Sequence, residues 1–463
     1  MSFQTRLLPG HLDLTELCKN RPEQYPYALI STSSSEARQR DRYDIIFAYP
    51  QESLILDNDH RLAFSGEQPL AEGRGFLDSL NQWWQREEIA AQNSELPFTG
   101  GWFVFLAYEI AGEIETILKL PGKTEPASSK APLAIARRCP AAIIVDHLEH
   151  TVTAIAENEY ACLLDQIEKD VLQAAQPVSA GKQTQINAGA IHEAPEAAYL
   201  AQVEKIRQYI IDGDIFQANL SRLWQIGIDD KVNDVDIFNA LSRSNPGSFA
   251  ALARLGEVTL ISSSPERLVH SRNNVVQTRP IAGTRPRSAM TADDAAMTRE
   301  LLAHPKERAE HVMLIDLERN DLGRVCKPGS VEVDELMVLE SYQHVHHIVS
   351  NIRGILQDQL TPVDVIRAVF PGGTITGCPK VRCMEILAEL EQQQRGAYTG
   401  SLGYINRDGS MDLNILIRTM VRAGDKISFR AGGGIVADSV PQHELEETRA
   451  KAKGLVNIFN LNR

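Results

Sequence analysis

The second half of the chain is dominated by short strand-like runs divided only by turn residues. "SFAALARL", "VTLISSS", "RLVHS" and "VVQTRPI" follow one another between residues 248 and 281, the last two split by Asn273-Asn274. Nearer the end, "YTGSLGYI", "MDLNILIRTMV" and "KISFRAGGGIV" are separated by Arg407-Asp408-Gly409 and Ala423-Gly424-Asp425. Parallel neighbours need a crossover of about a dozen residues or more, usually a helix, whereas antiparallel ones need only a tight turn. The spacing therefore predicts an antiparallel three-stranded meander at residues 398–436 and argues against a Rossmann-like parallel sheet. The expected class is α+β, with large antiparallel β-sheets flanked by helices.

Elsewhere "YDIIFAY" reads as a strand, and "LPFTGGWFVFLAYEIAGEIE" as strands running into a helix. "EAAYLAQVEKIRQYIIDGD" carries helical periodicity, with Ile206, Tyr209 and Ile210 on one face. Between these halves, residues 174–194 are poor in large apolar side chains and read as a linker or an excursion. The expected organisation is an N-terminal regulatory or structural region over residues 1–175 and a catalytic region over residues 195–463.

Bulk properties exclude several functions. The 463 residues suffice for a large core, and 43% hydrophobic with 23% charged residues is a soluble globular composition. The formal charge of -14 argues against nucleic acid as a partner, which needs a basic face. No run is long and apolar enough for a membrane span, and "MSFQTRLLPGHLDL" lacks a signal-peptide core. The six cysteines form no C-x-x-C pair, so reduced thiols in a cytoplasmic protein are expected.

Two helices offer paired carboxylates. In "HPKERAEHVMLIDLERND", Glu307 and Glu310 lie three residues apart on one face, and in "SVPQHELEETRAKAKGLVNIF" Glu444 and Glu447 repeat that spacing, with Lys451 one turn on. Converging, the pairs would suit Mg²⁺, a hard cation held by few carboxylates and several waters. Apart, they are ordinary solvated faces. "FPGGTITGCPK" lacks the G-K-[ST] ending of a phosphate loop, and "RAGGGIV" lacks dinucleotide spacing, but both can turn backbone N–H groups toward an anion. In "HVHH", strand alternation separates His347 from His344 and His346, which disfavours a three-histidine metal site. No G-x-S-x-G elbow supports a nucleophilic hydrolase.

Taken together and in order, "GDIFQANLSR", "SSSPERL", "RPIAGTRPR", "KERAEHVMLIDLERNDLGRV", "HHIVS", "FPGGTITGCPKVRCMEI", "YTGSLGY", "LIRT", "AGGGIVADS" and "ELEETRAK" resemble the chorismate-utilising enzymes. That family includes anthranilate, aminodeoxychorismate, isochorismate and salicylate synthases. The resemblance is dense from about residue 197 onward and weaker before residue 175. It implies that Glu310 and Glu447 bind Mg²⁺, with Glu307 and Glu444 as nearby or water-bridged carboxylates. Mg²⁺ would hold the ring carboxylate of chorismate, assisted by Lys451, Thr284 and the Gly283 backbone. Tyr398, Arg418 and the backbone around Gly432 and Gly434 would hold the enolpyruvyl carboxylate. Glu266 would be the general acid at the ring C4 hydroxyl, with His347 and Thr374 beside it.

The resemblance also narrows the reaction. Members that add water at ring C2 carry a lysine base where this chain has Gln217, whereas the ammonia users carry glutamine. Ammonia is already a nucleophile and needs no strong base. Most aminodeoxychorismate synthases have a covalent lysine nucleophile where this chain has Ala282, and anthranilate synthases have alanine there. "FQANLSR", "SPERLV", "FPGGTITG" and "GYINRDGSMDLNILIRT" are nonetheless closer to aminodeoxychorismate synthases, and "LIST" replaces the tryptophan-feedback motif L-L-E-S. The implied function is component I of an alanine-bearing aminodeoxychorismate synthase, aminating chorismate through a non-covalent 2-amino-2-deoxyisochorismate. Anthranilate synthase component I is the alternative, and a non-catalytic chorismate or tryptophan sensor a more distant one. Either synthase implies a glutamine amidotransferase partner. Cys378, in place of the alanine of T-G-A-P-K, and Thr32, where the regulatory serine would lie, depart from the family pattern.

Overall fold

Asn273 and Asn274 both adopt positive φ (53° and 61°) and join Arg267–Arg272 to Val275–Thr278 through a two-residue hairpin loop. Two successive left-handed residues match the right-handed twist of the flanking strands, and asparagine tolerates that region better than most side chains. The computed structural model describes residues 2–9, 14–32, 42–70, 75–122, 130–174, 186–286, 305–341 and 345–461. Among these, the strands collect into one sheet of thirteen and one of eleven. The pairing is antiparallel throughout except for Ile186–Glu193 with Phe459–Leu461, so the expected α+β class with large antiparallel sheets is observed.

The sheets face each other across a shared core. Tyr27 stacks on Phe103 with ring centroids 3.9 Å apart, and Phe47 meets Phe103 edge-on at 5.7 Å. In strand Tyr43–Ala48 the unbroken apolar run Ile45-Ile46-Phe47-Ala48 serves two cores. Ile45 and Phe47 enter this inter-sheet core, while Ile46 and Ala48 enter a second core on the opposite face. Helices Thr15–Asn20, Leu163–Ala174 and Asp234–Ser244 close that second core with Leu17, Ile167 and Phe238. Each such buried side chain contributes about 1.5–3 kcal/mol of transfer free energy. A third cluster lies where helices Glu196–Ile211 and Lys380–Glu391 cover strand Gln217–Ile228. Val203, Ile206, Leu220 and Leu387 meet there, with Tyr209 and Ile210 packed on the edge.

Two expectations need correction. The C-terminal strands do not form one meander. Ser401–Asn406 pairs with Met411–Asn414 in the eleven-stranded sheet, whereas Thr419–Ala423 pairs with Lys426–Ile435 in the other. The chain crosses between sheets at residues 415–418, where alternation fails in favour of the unbroken run Ile415-Leu416-Ile417. Backbone bonds Ile415 N–H to Glu266 O (3.0 Å) and Leu416 N–H to Gly400 O (2.8 Å) anchor the crossing. In the expected linker, residues 175–185 lie outside the described residues, but Ile186–Glu193 is a strand paired with Gln217–Ile228. Its small residues and alternating burial hid it. Both sheets draw strands from either side of residues 175–195: Tyr27–Ile30 pairs with Phe249–Leu255, and Gly101–Leu106 with Ser401–Asn406.

Candidate active site

The crossing between the sheets creates one wall of the site. Arg418 ends it at φ 51°, a left-handed conformation that costs a non-glycine residue about 1–2 kcal/mol. Its carbonyl accepts from the Ser263 N–H at 3.1 Å, and its guanidinium has no hydrogen bond or ion pair among the described residues. Burial depresses its pKa, and the nearby Glu266 carboxylate opposes that shift. A half-buried guanidinium with no hydrogen-bond partner among the described residues suits a carboxylate ligand.

Glu266 follows strand Val258–Ser264 and is 5% exposed. Burial pushes its carboxyl up to about 7, against the pull of the Thr374 hydroxyl, the Ile281 N–H, Arg418 and Lys451. Glu266 Oε1 and Thr374 Oγ1 lie close enough to influence each other, but neither completes a hydrogen bond among the described residues. His347 is 3% exposed on strand Val345–Ile355. Burial and Arg418 lower it to about 4, while the Gly283 carbonyl accepts from its ring, so the imidazole is neutral at neutral pH. His346 points elsewhere and shares a 2.8 Å bond with the Ser341 hydroxyl. Gly283 lies in strand Ile281–Pro286. The side chains of Ala282, Thr284 and Glu307 fall outside the described residues.

The second wall is the glycine run on strand Lys426–Ile435, paired with Gln217–Ile228. A Cβ on Gly432 would stand 2.4 Å from the Leu220 carbonyl and 2.8 Å from the Tyr398 hydroxyl, and one on Gly434 2.4 Å from Gln217 Nε2. Only glycine lets those groups approach the strand so closely. Burial pushes the Tyr398 phenol up to about 12, so it is a neutral donor. Behind it Glu391 pairs with Arg395 at 2.8 Å and with Arg430 at 3.3 Å. Lys451 Nζ donates to the Gly432 carbonyl at 2.9 Å and pairs with Glu447 at 2.8 Å.

The two acidic helices converge here. Gln217, 3% exposed, donates its amide to Glu310 Oε1 at 3.1 Å. A Cβ on Gly433 would lie 3.4 Å from both Glu444 Oε2 and Glu447 Oε1. The glycine run thus has Glu444 and Glu447 on one side and the Gln217–Glu310 pair at its next residue. No ready-made cluster of three metal-ligating side chains exists among the described residues. The donors are nevertheless all oxygens, from two helices, around a bare strand, which fits a hard cation completed by substrate and water.

Two groups, Tyr199 and Glu318, escaped sequence reasoning. Tyr199 is 1% exposed, its hydroxyl lacks a hydrogen-bond partner among the described residues, and burial with Glu444, Tyr398 and Glu447 nearby raises its pKa. Glu318, about two turns further along the Glu310 helix, is buried beside Glu266, with Oε2 unpartnered among the described residues. Burial pushes it to about 8, with Glu266 and Asp321 adding to the rise and Thr278 and Lys380 opposing it. Cys378 lies opposite Gln217 in the ladder, and the Cys383 thiol donates to the Gln217 carbonyl at 3.0 Å, so both cysteines support that strand. Thr32 is committed elsewhere, accepting from Gly247 N–H at 2.8 Å and donating to Gly247 O at 3.1 Å.

Residues 30–457 match the model of the chorismate binding enzyme family. The chain belongs to the chorismate-binding enzymes. It is 43% identical over 362 residues to the anthranilate synthase component I-like protein of Synechocystis sp., covering 78% of this chain and 73% of that one. It is 39% identical over 394 residues to aminodeoxychorismate synthase component 1 of Bacillus subtilis, covering 83% and 82%. Among solved structures, anthranilate synthase component I from Streptococcus pneumoniae superposes with a TM-score of 0.78 at 31% identity, covering 89% of this chain and 92% of that one. Proteins named as anthranilate synthase components and as aminodeoxychorismate synthase components therefore both occur among its relatives.

Proposed function

We propose that this chorismate-binding enzyme is component I of an aminodeoxychorismate synthase, converting chorismate to 4-amino-4-deoxychorismate with ammonia from a glutamine amidotransferase subunit. The observation that carries amination over hydration is Gln217, a buried amide held by Glu310 where a water-adding enzyme needs a base. Glu266 suits the proton donor to the departing C4 hydroxyl, because a carboxyl near pKa 7 is both available as an acid and a stable carboxylate afterwards. Neutral His347 can hydrogen-bond that hydroxyl without adding charge. The Arg418 guanidinium, the Tyr398 hydroxyl and the glycine-run backbone offer donors to the enolpyruvyl carboxylate. Glu310 and Glu447, aided by Glu307 and Glu444, would hold Mg²⁺, which when bound neutralises the ring carboxylate.

The choice of product rests on sequence: "LIST" in place of L-L-E-S, and the closer match of four motifs. Ala282 and the names of several relatives favour the second reading, anthranilate synthase component I. The isolated chain, given Mg²⁺ and ammonium salts, should consume chorismate, with glutamine inert until an amidotransferase subunit is added. Efficient use of glutamine by the chain alone would refute the two-component reading.

A further inference from the structure

Helix Pro305–Gly323 turns Leu314, Ile315 and Leu322 into the core, and Glu318 shares that buried face. A carboxyl group is costly to charge there, and the neighbouring cation is engaged elsewhere. Lys380 Nζ donates to Asp321 at 2.5 Å and to the Val369 carbonyl at 3.3 Å. What Glu318 faces is the acid of the site. Leu317, the residue before it, presses on Gly373, where an added Cβ would stand 2.5 Å from Leu317 Cδ2, and Gly373 leads into Thr374 beside Glu266. Four buried oxygens here have no hydrogen-bond partner among the described residues: Glu266 Oε1, Thr374 Oγ1, Thr278 Oγ1 and Glu318 Oε2. The Thr278 hydroxyl lies beside Glu318 as that of Thr374 lies beside Glu266. Buried polar atoms are as a rule satisfied, and a water with several such partners is stable in an interior. Hydroxyls both donate and accept, so two of them between two carboxyl groups can carry a proton.

We propose that Glu318 is the proton reserve of Glu266, its carboxyl passing a proton through the Thr278 and Thr374 hydroxyls and a bridging water to the carboxylate that Glu266 becomes when the C4 hydroxyl departs as water. The inference rests on the reading of Glu266 as the general acid. Glu318 touches no substrate and acts through Glu266. In each transfer an O–H bond of Glu318 breaks, one forms on Glu266, and Glu318 is left as the carboxylate. The balance closes at nitrogen. Ammonia bonded to carbon is an ammonium group and sheds one proton to become the amine. That proton reaches solvent, and solvent returns one to Glu318 past the Asp321–Lys380 pair, which leads toward the exposed Arg324. The titratable and charged groups acting on Glu318 are Glu266, Asp321 and Lys380, with the Thr278 hydroxyl. Glu318 at about 8 and Glu266 at about 7 are close enough for a proton to pass in either direction.

Glu318→Gln keeps the shape and removes the transferable proton, whereas Glu318→Asp keeps the carboxyl group and loses a methylene. The test mixes each full chain rapidly with chorismate, Mg²⁺ and saturating ammonium salts near neutral pH. Glu318→Gln should consume about one chorismate per chain as fast as the unaltered enzyme and then slow at least about tenfold, a burst the unaltered enzyme lacks. Its kcat/KM should stay within about twofold while kcat falls. Glu318→Asp should recover most of kcat. A merely structural role predicts the opposite order, because glutamine fills the space and aspartate leaves a gap. An unchanged kcat in Glu318→Gln, equal losses in its first and later turnovers, or a Glu318→Asp enzyme slower than Glu318→Gln would each overturn the reserve and leave Glu266 as the acid. A first turnover retained at full rate in Glu266→Gln would overturn the acid reading itself, and the reserve with it.

Discussion

Glu266 should impose a single break on the pH dependence of turnover. Its carboxyl is raised from 4.5 to about 7, a difference of roughly 3 kcal/mol between its two protonation states. The acid form is the one that can protonate the leaving hydroxyl, so activity is present below the break and lost above it. With free NH₃ held constant by adjusting total ammonium at each pH, kcat/KM for chorismate should be flat below about pH 7 and fall about tenfold per unit above it. His347, already neutral, adds no break in this range. Glu266→Gln keeps the shape but has no proton to give, so its profile should be flat and lie about 10²–10⁴-fold lower. Steady-state assays of both proteins between about pH 6 and 9 decide the matter. The reasoning fails if the unaltered enzyme shows no break near 7, or if Glu266→Gln retains it.

Glu310→Ala and Glu447→Ala should each raise the Mg²⁺ concentration needed for half-maximal turnover. Unchanged Mg²⁺ titrations in both variants would remove these residues from the proposed Mg²⁺ site. Gly434→Ala brings a methyl to 2.4 Å from Gln217 Nε2, the mobile end of a side chain, so stability should change little. The displaced amide should nevertheless cut turnover at least about tenfold, and an unimpaired variant would show that the Gln217–Glu310 bond is dispensable. Glu318, raised to about 8, binds a proton in the folded state that the unfolded chain releases near 4.5. The folded protein must therefore lose stability as pH rises through that window, and Glu318→Gln should abolish the loss. Denaturant midpoints of the two proteins that stay parallel from about pH 5 to 8 would contradict it.

What the sequence revealed and concealed follows from the range of the interactions. Turn chemistry is local, so the Asn273-Asn274 hairpin and the antiparallel class were legible. Which sheet a strand joins is not local. The run from Met411 to Val421 reads as one strand, yet its halves part because Ile415 and Leu416 bond to Glu266 and Gly400 rather than to the next strand. In the site, carboxylate spacing was legible at Glu307/Glu310 and Glu444/Glu447, but their convergence depends on the glycine run that separates them. Glu318 sits in "DLERND", a sequence that looks like a solvated helix face, and only burial beside Glu266 distinguishes it. Tyr199 is another such case, since an unsatisfied hydroxyl is a property of packing.

The identity of the aminated product tests the account most directly. Both readings share chorismate, Mg²⁺, ammonia and the first 2-amino intermediate, so substrate consumption cannot separate them. They diverge when that intermediate either eliminates pyruvate, giving anthranilate, or accepts ammonia at C4 as the first amine departs. The decisive assay incubates the chain with chorismate, Mg²⁺ and ammonium salts, couples it to aminodeoxychorismate lyase, and quantifies 4-aminobenzoate and anthranilate by chromatography. The account predicts 4-aminobenzoate as the main product, with the 2-amino intermediate accumulating when ammonia is limiting. Anthranilate as the dominant product would contradict it.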